Sequence, residues 1–275
     1  YGQWAICRYL PAQYVSLVLA CGIWGGGGGV AMSNIDKLGL MLTVGGIGGV
    51  AINAAHEMGH QRARSERWLS KVALAQTGYG HFYIEHNRGH HARVATPDDP
   101  ASSRLGENIY TFHYRSIIGS LRSAWALERR RLARRGKRAW SLRNDALNAW
   151  LMTAALFAAL IAVFGIAVVP WLIGQAVIGF FLLETINYLE HYGLRRQQRP
   201  DGSYERVRPS HSWNSNSMIS NVFLFHLQRH SDHHANPQRR HQALRHADAP
   251  PQLPAPSSPR VVCASVPPPA RPSTD

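Results

Sequence analysis

Apolar and polar positions segregate along this chain on the scale of whole helices. No charged residue occurs between Tyr9 and Ile35, Glu57 is the sole Asp, Glu, Lys or Arg between Leu38 and Met58, and Ala146 to Leu183 again has none. A bilayer core takes roughly 20 apolar residues per helix. The last run is therefore long enough for two spans, with Pro170 near its middle as a natural place for the chain to turn. The pattern predicts four spans in two hairpins, over Tyr9–Ala31, Leu38–Ala55, Ala146–Gly165 and Val168–Leu189, and hence an all-α polytopic membrane helical bundle. Val72 to Ile84, which carries His81, is too short to cross and is expected to dip in and return. Ile117 to Arg138 reads as an amphipathic stretch lying in the interface plane.

Composition changes the picture in a few places. The mean hydropathy of -0.21 averages the apolar runs with very basic connections, so the local pattern is the better guide. A net charge of +14 would ordinarily suggest nucleic acid, but seven of the eleven residues from Glu128 to Arg138 are Lys or Arg, directly before a predicted span. Basic flanks of that kind mark the cytoplasmic side, which then also holds Gln61 to Lys71, Arg88 to Arg143 and Arg195 to Arg208. No nucleic-acid partner is expected. Cys7, Cys21 and Cys263 form neither a disulfide framework nor a CxxC metal site, so any iron–sulfur electron source is a separate protein. Gly25 to Gly29 and the glycines at 45, 46, 48 and 49 suit close helix approach, and no Lys accompanies them as a phosphate loop requires. From Ala249 onward lie nine of the sixteen prolines and no apolar periodicity, so 249–275 is expected to be a disordered tail after a domain over 1–248. The absence of an initiator Met suggests an incomplete chain.

The strongest chemical signal is the placement of the fifteen histidines. Four short motifs hold most of them: His56-Glu57-Met58-Gly59-His60, Glu85-His86-Asn87-Arg88-Gly89-His90-His91, Asn187-Tyr188-Leu189-Glu190-His191, and Leu227-Gln228-Arg229-His230-Ser231-Asp232-His233-His234. Residues three and four apart share a helix face. His56 with His60, His86 with His90, and His230 with His233 and His234 are thus each expected to aim at one point. His56 and His191 fall where apolar runs end, which puts all four motifs at one membrane depth. Nine imidazoles exceed the needs of one ion and point to two metals, although imidazole alone does not choose among iron, zinc, copper and nickel. His81, His113, His211, His241 and His246 are isolated and read as ordinary, while His226 precedes His230 by four residues and could lie behind the ligands. His56-Glu57-Met58-Gly59-His60 also matches the H-E-x-x-H helix of zinc proteases, but a protease leaves two further clusters without purpose. A metal carrier would place ionisable groups within the spans rather than at their ends.

These motifs resemble those of the integral-membrane alkane 1-monooxygenases, the non-haem di-iron alkane hydroxylases of bacteria, over about Tyr9 to His246. The runs Asn187 to Leu194 and Leu227 to His234 are close to signatures of that family, whereas membrane desaturases and sterol hydroxylases share only the coarser histidine spacing; a xylene-type monooxygenase or a desaturase on the same scaffold is the rival enzyme reading. The resemblance implies a fatty acid desaturase-like fold with two non-haem iron ions held by His56, His60, His86, His90, His91, His191, His230, His233 and His234. Glu57, Glu85, Glu190 and Asp232 are implied as carboxylates behind those imidazoles. It implies terminal hydroxylation of medium-chain n-alkanes to 1-alkanols by O2, with electrons from reduced rubredoxin and its reductase, in the bacterial inner membrane near the cytoplasmic face. Family members carry six spans, so a first hairpin that partly gauges alkane length is expected to be missing. After Gln242-Ala243-Leu244-Arg245-His246 the family continues with an apolar segment, whereas Pro, Arg and Ser dominate here, as a frameshift or partial gene product would produce.

Overall fold

The computed structural model describes residues 2–26, 29, 31–215, 218, 221, 224–245 and 251. Regular structure there is helical apart from one isolated bridge between Gln198 and Tyr204, in agreement with the all-α bundle expected from the apolar runs. His246 and, except for Pro251, the expected tail lie outside the described residues.

Three segments are long and apolar enough to cross a membrane: α2 (Asn34–Gly59), α7 (Asp145–Phe164) and Ile166–His191, which is a short 3-10 turn running into α8 (Val169–His191). The first expected span needs correction. Its helix, α1 (Gly2–Trp24), starts earlier than expected and stops where the glycine run begins. Glycine loses the most backbone freedom in a helix, and Gly26 adopts a left-handed φ of 84°. Arg8, Pro11 and Gln13 also dilute the apolar character of α1, and the buried Gln13 donates from Nε2 to the Ala73 carbonyl at 2.9 Å.

Helix α2 begins with a capping box, in which the Ser33 hydroxyl accepts from the Asp36 amide at 3.2 Å and Asp36 accepts from the Ser33 amide at 2.9 Å. It packs along α8, and glycine permits the close approach: a Cβ on Gly45 would lie 2.6 Å from the Ile178 side chain. Leu17 and Cys21 of α1, Val44 of α2, Leu160 of α7, and Trp171 and Leu172 of α8 form one apolar cluster through these four helices. Helix α3 (Arg64–Ala75) folds back on α2, where the Ser70 hydroxyl donates to the Ala55 carbonyl at 2.6 Å. The segment after α3 enters the bundle and comes back as α4 (Phe82–Ile84), a π-helical turn (Glu85–His90) and α5 (His91–Arg93).

The amphipathic helix, α6 (Ile109–Ala133), starts earlier than Ile117 because Asn108 caps it, accepting from the Thr111 amide at 2.9 Å. It ends before Arg138 because Gly136, at φ 63°, lets the Lys137 amide reach back to the Leu132 carbonyl at 2.9 Å. The fully buried Glu128 carboxylate on α6 takes Arg88 at 2.5 Å and Arg131 at 2.6 Å, and also accepts from the Asp145 amide at 2.7 Å. Lys71 pairs with Asp145 at 2.6 Å. This ion cluster ties α3, the π-turn, α6 and the start of α7 together.

Candidate metal centre

Four chain segments bring the histidine motifs to one place. His56 and His60 lie one turn apart at the end of α2, His191 ends α8, and α9 (His230–Ala235) carries His230, His233 and His234. The π-turn supplies the rest and corrects one expectation. Its wider winding lets the His91 amide donate to the His86 carbonyl five residues back, so His86 shares a side with His91 rather than with His90. Gly89 suits this turn, because a Cβ there would run into the Glu85 carboxylate and the Arg93 guanidinium.

The imidazoles accordingly form two groups rather than converging motif by motif. His56, His60, His86, His91 and His233 make one; His90, His191, His230 and His234 make the other, with the ligand atoms of each group within 4.8 Å of one another. In the first, His233 Nε2 lies 2.9 Å from His56 Nε2 and 3.1 Å from His91 Nε2, and His91 Nε2 lies 3.0 Å from His86 Nε2. In the second, His230 Nε2 lies 3.1 Å from His191 Nε2 and 2.9 Å from His234 Nε2. A neutral imidazole has one N–H and one lone pair. Such mutual Nε2 contacts leave several lone pairs facing each other, an arrangement that a cation between them relieves. The Nδ1 atoms of His56, His191, His230, His233 and His234 are buried without a hydrogen-bond partner. The donor set therefore fits imidazole-bound metal. Burial, followed by the neighbouring imidazoles, pushes the pKa values of His60, His86, His91, His230 and His234 well below the usual range, and that of His233 to about 3. The neutral, metal-binding form is the one this environment favours.

The expected carboxylates differ in what they touch. Glu190 Oε2 lies 3.3 Å from His230 Nε2, and Glu57 Oε1 lies 3.7 Å from His56 Nδ1. Glu85 pairs with Arg93 at 2.6 Å. Asp232 hydrogen-bonds Arg239 at 2.6 Å and the Arg245 amide at 2.8 Å, so its adjacency to His233 is one of sequence more than of bonding. The sequence reading missed Asp99, a fully buried residue whose Oδ2 lies 2.8 Å from His90 Nδ1 and accepts from the Ser102 hydroxyl at 2.6 Å. Burial opposes its charge, but His90 and Ser102 hold its carboxyl below the usual range. Of the isolated histidines, His226 meets the His241 carbonyl at 3.1 Å, His113 meets Thr185 at 3.2 Å and His211 meets Glu205 at 3.3 Å. His81 is buried against Tyr79. None of these belongs to either imidazole group.

An apolar cavity of about 310 Å³ lies beside the four-membered group. Gly46, Gly49, Leu182 and Ile186 line it within α2 and α8, and Glu190 and Gln228 provide polar groups in its wall.

Residues 37–261 match the fatty acid desaturase family. The chain is 49% identical over 260 residues to an alkane 1-monooxygenase of Acinetobacter baylyi, covering 94% of this chain and 63% of that relative. It is 52% identical to alkane 1-monooxygenase 1 of Alcanivorax borkumensis over 80% of this chain and 54% of the relative. Against alkane 1-monooxygenase 2 of Pseudomonas aeruginosa the identity is 40%, over 95% of this chain and 70% of the relative. The chain thus spans about three fifths of the length of the first two of these relatives. Its four histidine motifs, two imidazole groups and these similarities place it among the alkane 1-monooxygenases of the fatty acid desaturase family.

Proposed function

We propose that this chain provides the catalytic core of a membrane hydroxylase that converts medium-chain n-alkanes to 1-alkanols. The observation that carries the reading is the position of the apolar cavity, which ends on Glu190 next to the four-imidazole group. The balanced reaction takes alkane, O2, two electrons and two protons to 1-alkanol and water. Two iron ions are the proposed metals, one held by His56, His60, His86, His91 and His233 and the other by His90, His191, His230 and His234. Bound iron supplies the redox chemistry for O2 activation and attack on an unactivated C–H bond, which redox-inert zinc lacks.

The chain's own residues supply position and exclusion. Leu182 and Ile186 offer the chain of an alkane an apolar wall, and Gly46 and Gly49 leave room along α2. Glu190 places the polar end of the cavity at His230, where a terminal methyl would arrive. Asp99 fixes the ring of His90 through Nδ1, whereas Glu190 stands against His230 Nε2, the nitrogen that faces the neighbouring imidazoles, and Glu57 lies 3.7 Å from His56 Nδ1. Electrons come from reduced rubredoxin, whose acidic surface would meet the exposed Arg130, Arg134, Arg135 and Arg138. The basic connections support a cytoplasmic orientation of this face, and the proposed location is the bacterial inner membrane.

The decisive measurement is gas chromatography of products after supplying octane, O2, rubredoxin and rubredoxin reductase to the iron-loaded protein. 1-Octanol is the expected product, and turnover should fall steeply as salt screens the donor's docking. Iron-loaded protein that yields no oxygenated octane, or that desaturates acyl chains instead, would refute the proposal.

A further inference from the structure

Three tryptophans and two arginines form a second pocket on the outer face of α6, away from the imidazoles. Trp125 of α6, Trp140 of the following loop and Trp150 of α7 line it with Leu121, Arg122 and Arg129, around a volume of about 430 Å³. Trp125 and Trp150 are nearly parallel, 12° apart with ring centroids 6.0 Å from each other, and Trp140 meets Trp125 at 4.8 Å. Arg122 and Arg129 are two helical turns apart, on the face that carries Trp125. Both are exposed, and among the described residues neither pairs with a carboxylate. Other arginines of this region behave differently: Arg88 and Arg131 are held by Glu128, and Arg115 by Glu107 at 2.7 Å.

Position decides what the pocket fits. Helix α7 is long and apolar enough to cross a membrane and begins at Asp145, so Trp150 stands five residues, roughly 7 to 8 Å, along it from that end. For a span entered at Asp145 that distance corresponds to the headgroup boundary, where tryptophan concentrates. Aromatic walls at that depth accept acyl chain, while two unpaired guanidinium groups at headgroup level bind phosphate bidentately. An acidic protein would satisfy the arginines but would leave apolar ring faces such as the exposed Trp140 against polar surface.

We propose that this pocket is a binding site for one anionic phospholipid, with the phosphate on Arg122 and Arg129 and an acyl chain along Trp125 and Trp150. The site is independent of the hydroxylase reading, since it uses no residue of the imidazole groups or their cavity.

The test is native mass spectrometry of the chain released from nanodiscs of phosphatidylcholine with a minor share of phosphatidylglycerol of identical acyl chains. Each arginine near an anionic headgroup contributes severalfold, so phosphatidylglycerol should be retained about tenfold above its share. Arg122→Gln with Arg129→Gln should bring this within about twofold of its share while the metal content stays unchanged. A companion disc in which neutral diacylglycerol replaces phosphatidylglycerol needs no variant and should show no enrichment. Absence of phosphatidylglycerol enrichment in the parent, enrichment that survives in the paired variant, or equal retention of diacylglycerol would each overturn the assignment. Capture of an acidic protein through these arginines without lipid enrichment would overturn it as well.

Discussion

The two imidazole groups lie side by side yet are supported differently. All four members of the His90 group are buried, whereas His60 and His91 of the other group are only half-buried. His90 is held at Nδ1 by the buried Asp99 at 2.8 Å, whereas Glu190 lies 3.3 Å from His230 Nε2, the nitrogen that faces the other imidazoles. In the five-membered group the corresponding carboxylate, Glu57, stays 3.7 Å from His56. The four-membered group also adjoins the apolar cavity through Glu190. The contrast is one of burial and anchoring: a fully buried group with one ring fixed by Asp99 borders the apolar cavity, and a more accessible group has one extra donor. Orientation by a second partner is what fixes an imidazole's tautomer and aim.

The largest effect should come from removing the residue on which the five-membered group converges. His233 Nε2 meets both His56 and His91. His233→Ala is expected to lower iron content and to reduce octane hydroxylation more than about 100-fold, since even partners behind the ligands cost 10- to 100-fold. Full activity in this variant, measured as 1-octanol formed per protein, would remove His233 from the centre. Next comes Asp99→Asn, which keeps the shape of the side chain but weakens the hold on His90 Nδ1. It should cost about 10- to 100-fold in activity, with metal lost from the four-membered group first. Equal loss of both metals on titration with a chelator would erase the proposed contrast between the groups.

How much of this was legible beforehand follows from the kind of signal each feature leaves. Membrane-length apolar runs and histidine spacing persist in sequence because they repeat with the helical period, and they gave α2, α7, α8 and the nine grouped imidazoles. The pairing of His86 with His91 was hidden, because the reading applied an α-helical period to a turn that winds more widely. Asp99 lies in a loop, where no period relates it to His90, and only the adjacent cluster of Thr96, Asp98, Asp99, Ser102 and Ser103 hints at a polar role. Asp232 shows the reverse case: it neighbours His233 in sequence, but helix α9 turns its carboxylate toward Arg239. The end of α1 was misplaced because a run of glycines counts as uncharged in an apolar window while it disfavours helix.

The smallest expected effect sharpens the comparison by failing to discriminate. Glu128 holds Arg88 of the π-turn, and that turn feeds His86 to one group and His90 to the other, with His91 directly after it. Glu128→Gln should therefore weaken both groups alike. Breaking a buried ion pair costs about 3–5 kcal/mol, but Arg88 and Arg131 are 36% and 21% exposed, so solvent screening reduces the expected loss to roughly 1–2 kcal/mol. Its pH dependence has a definite sign. Burial opposes the charge on Glu128, yet hydrogen bonds from Arg131 and the Asp145 amide, with Arg88 alongside, hold its carboxyl below the usual range. A carboxyl depressed by folding contributes fully above its unfolded value of about 4.3 and loses that contribution as pH falls through the folded value. The melting midpoint of the parent in detergent should exceed that of Glu128→Gln near neutrality, and the gap should close below about pH 4. A gap that stays constant or widens on acidification would mean that Glu128 acts through packing rather than charge.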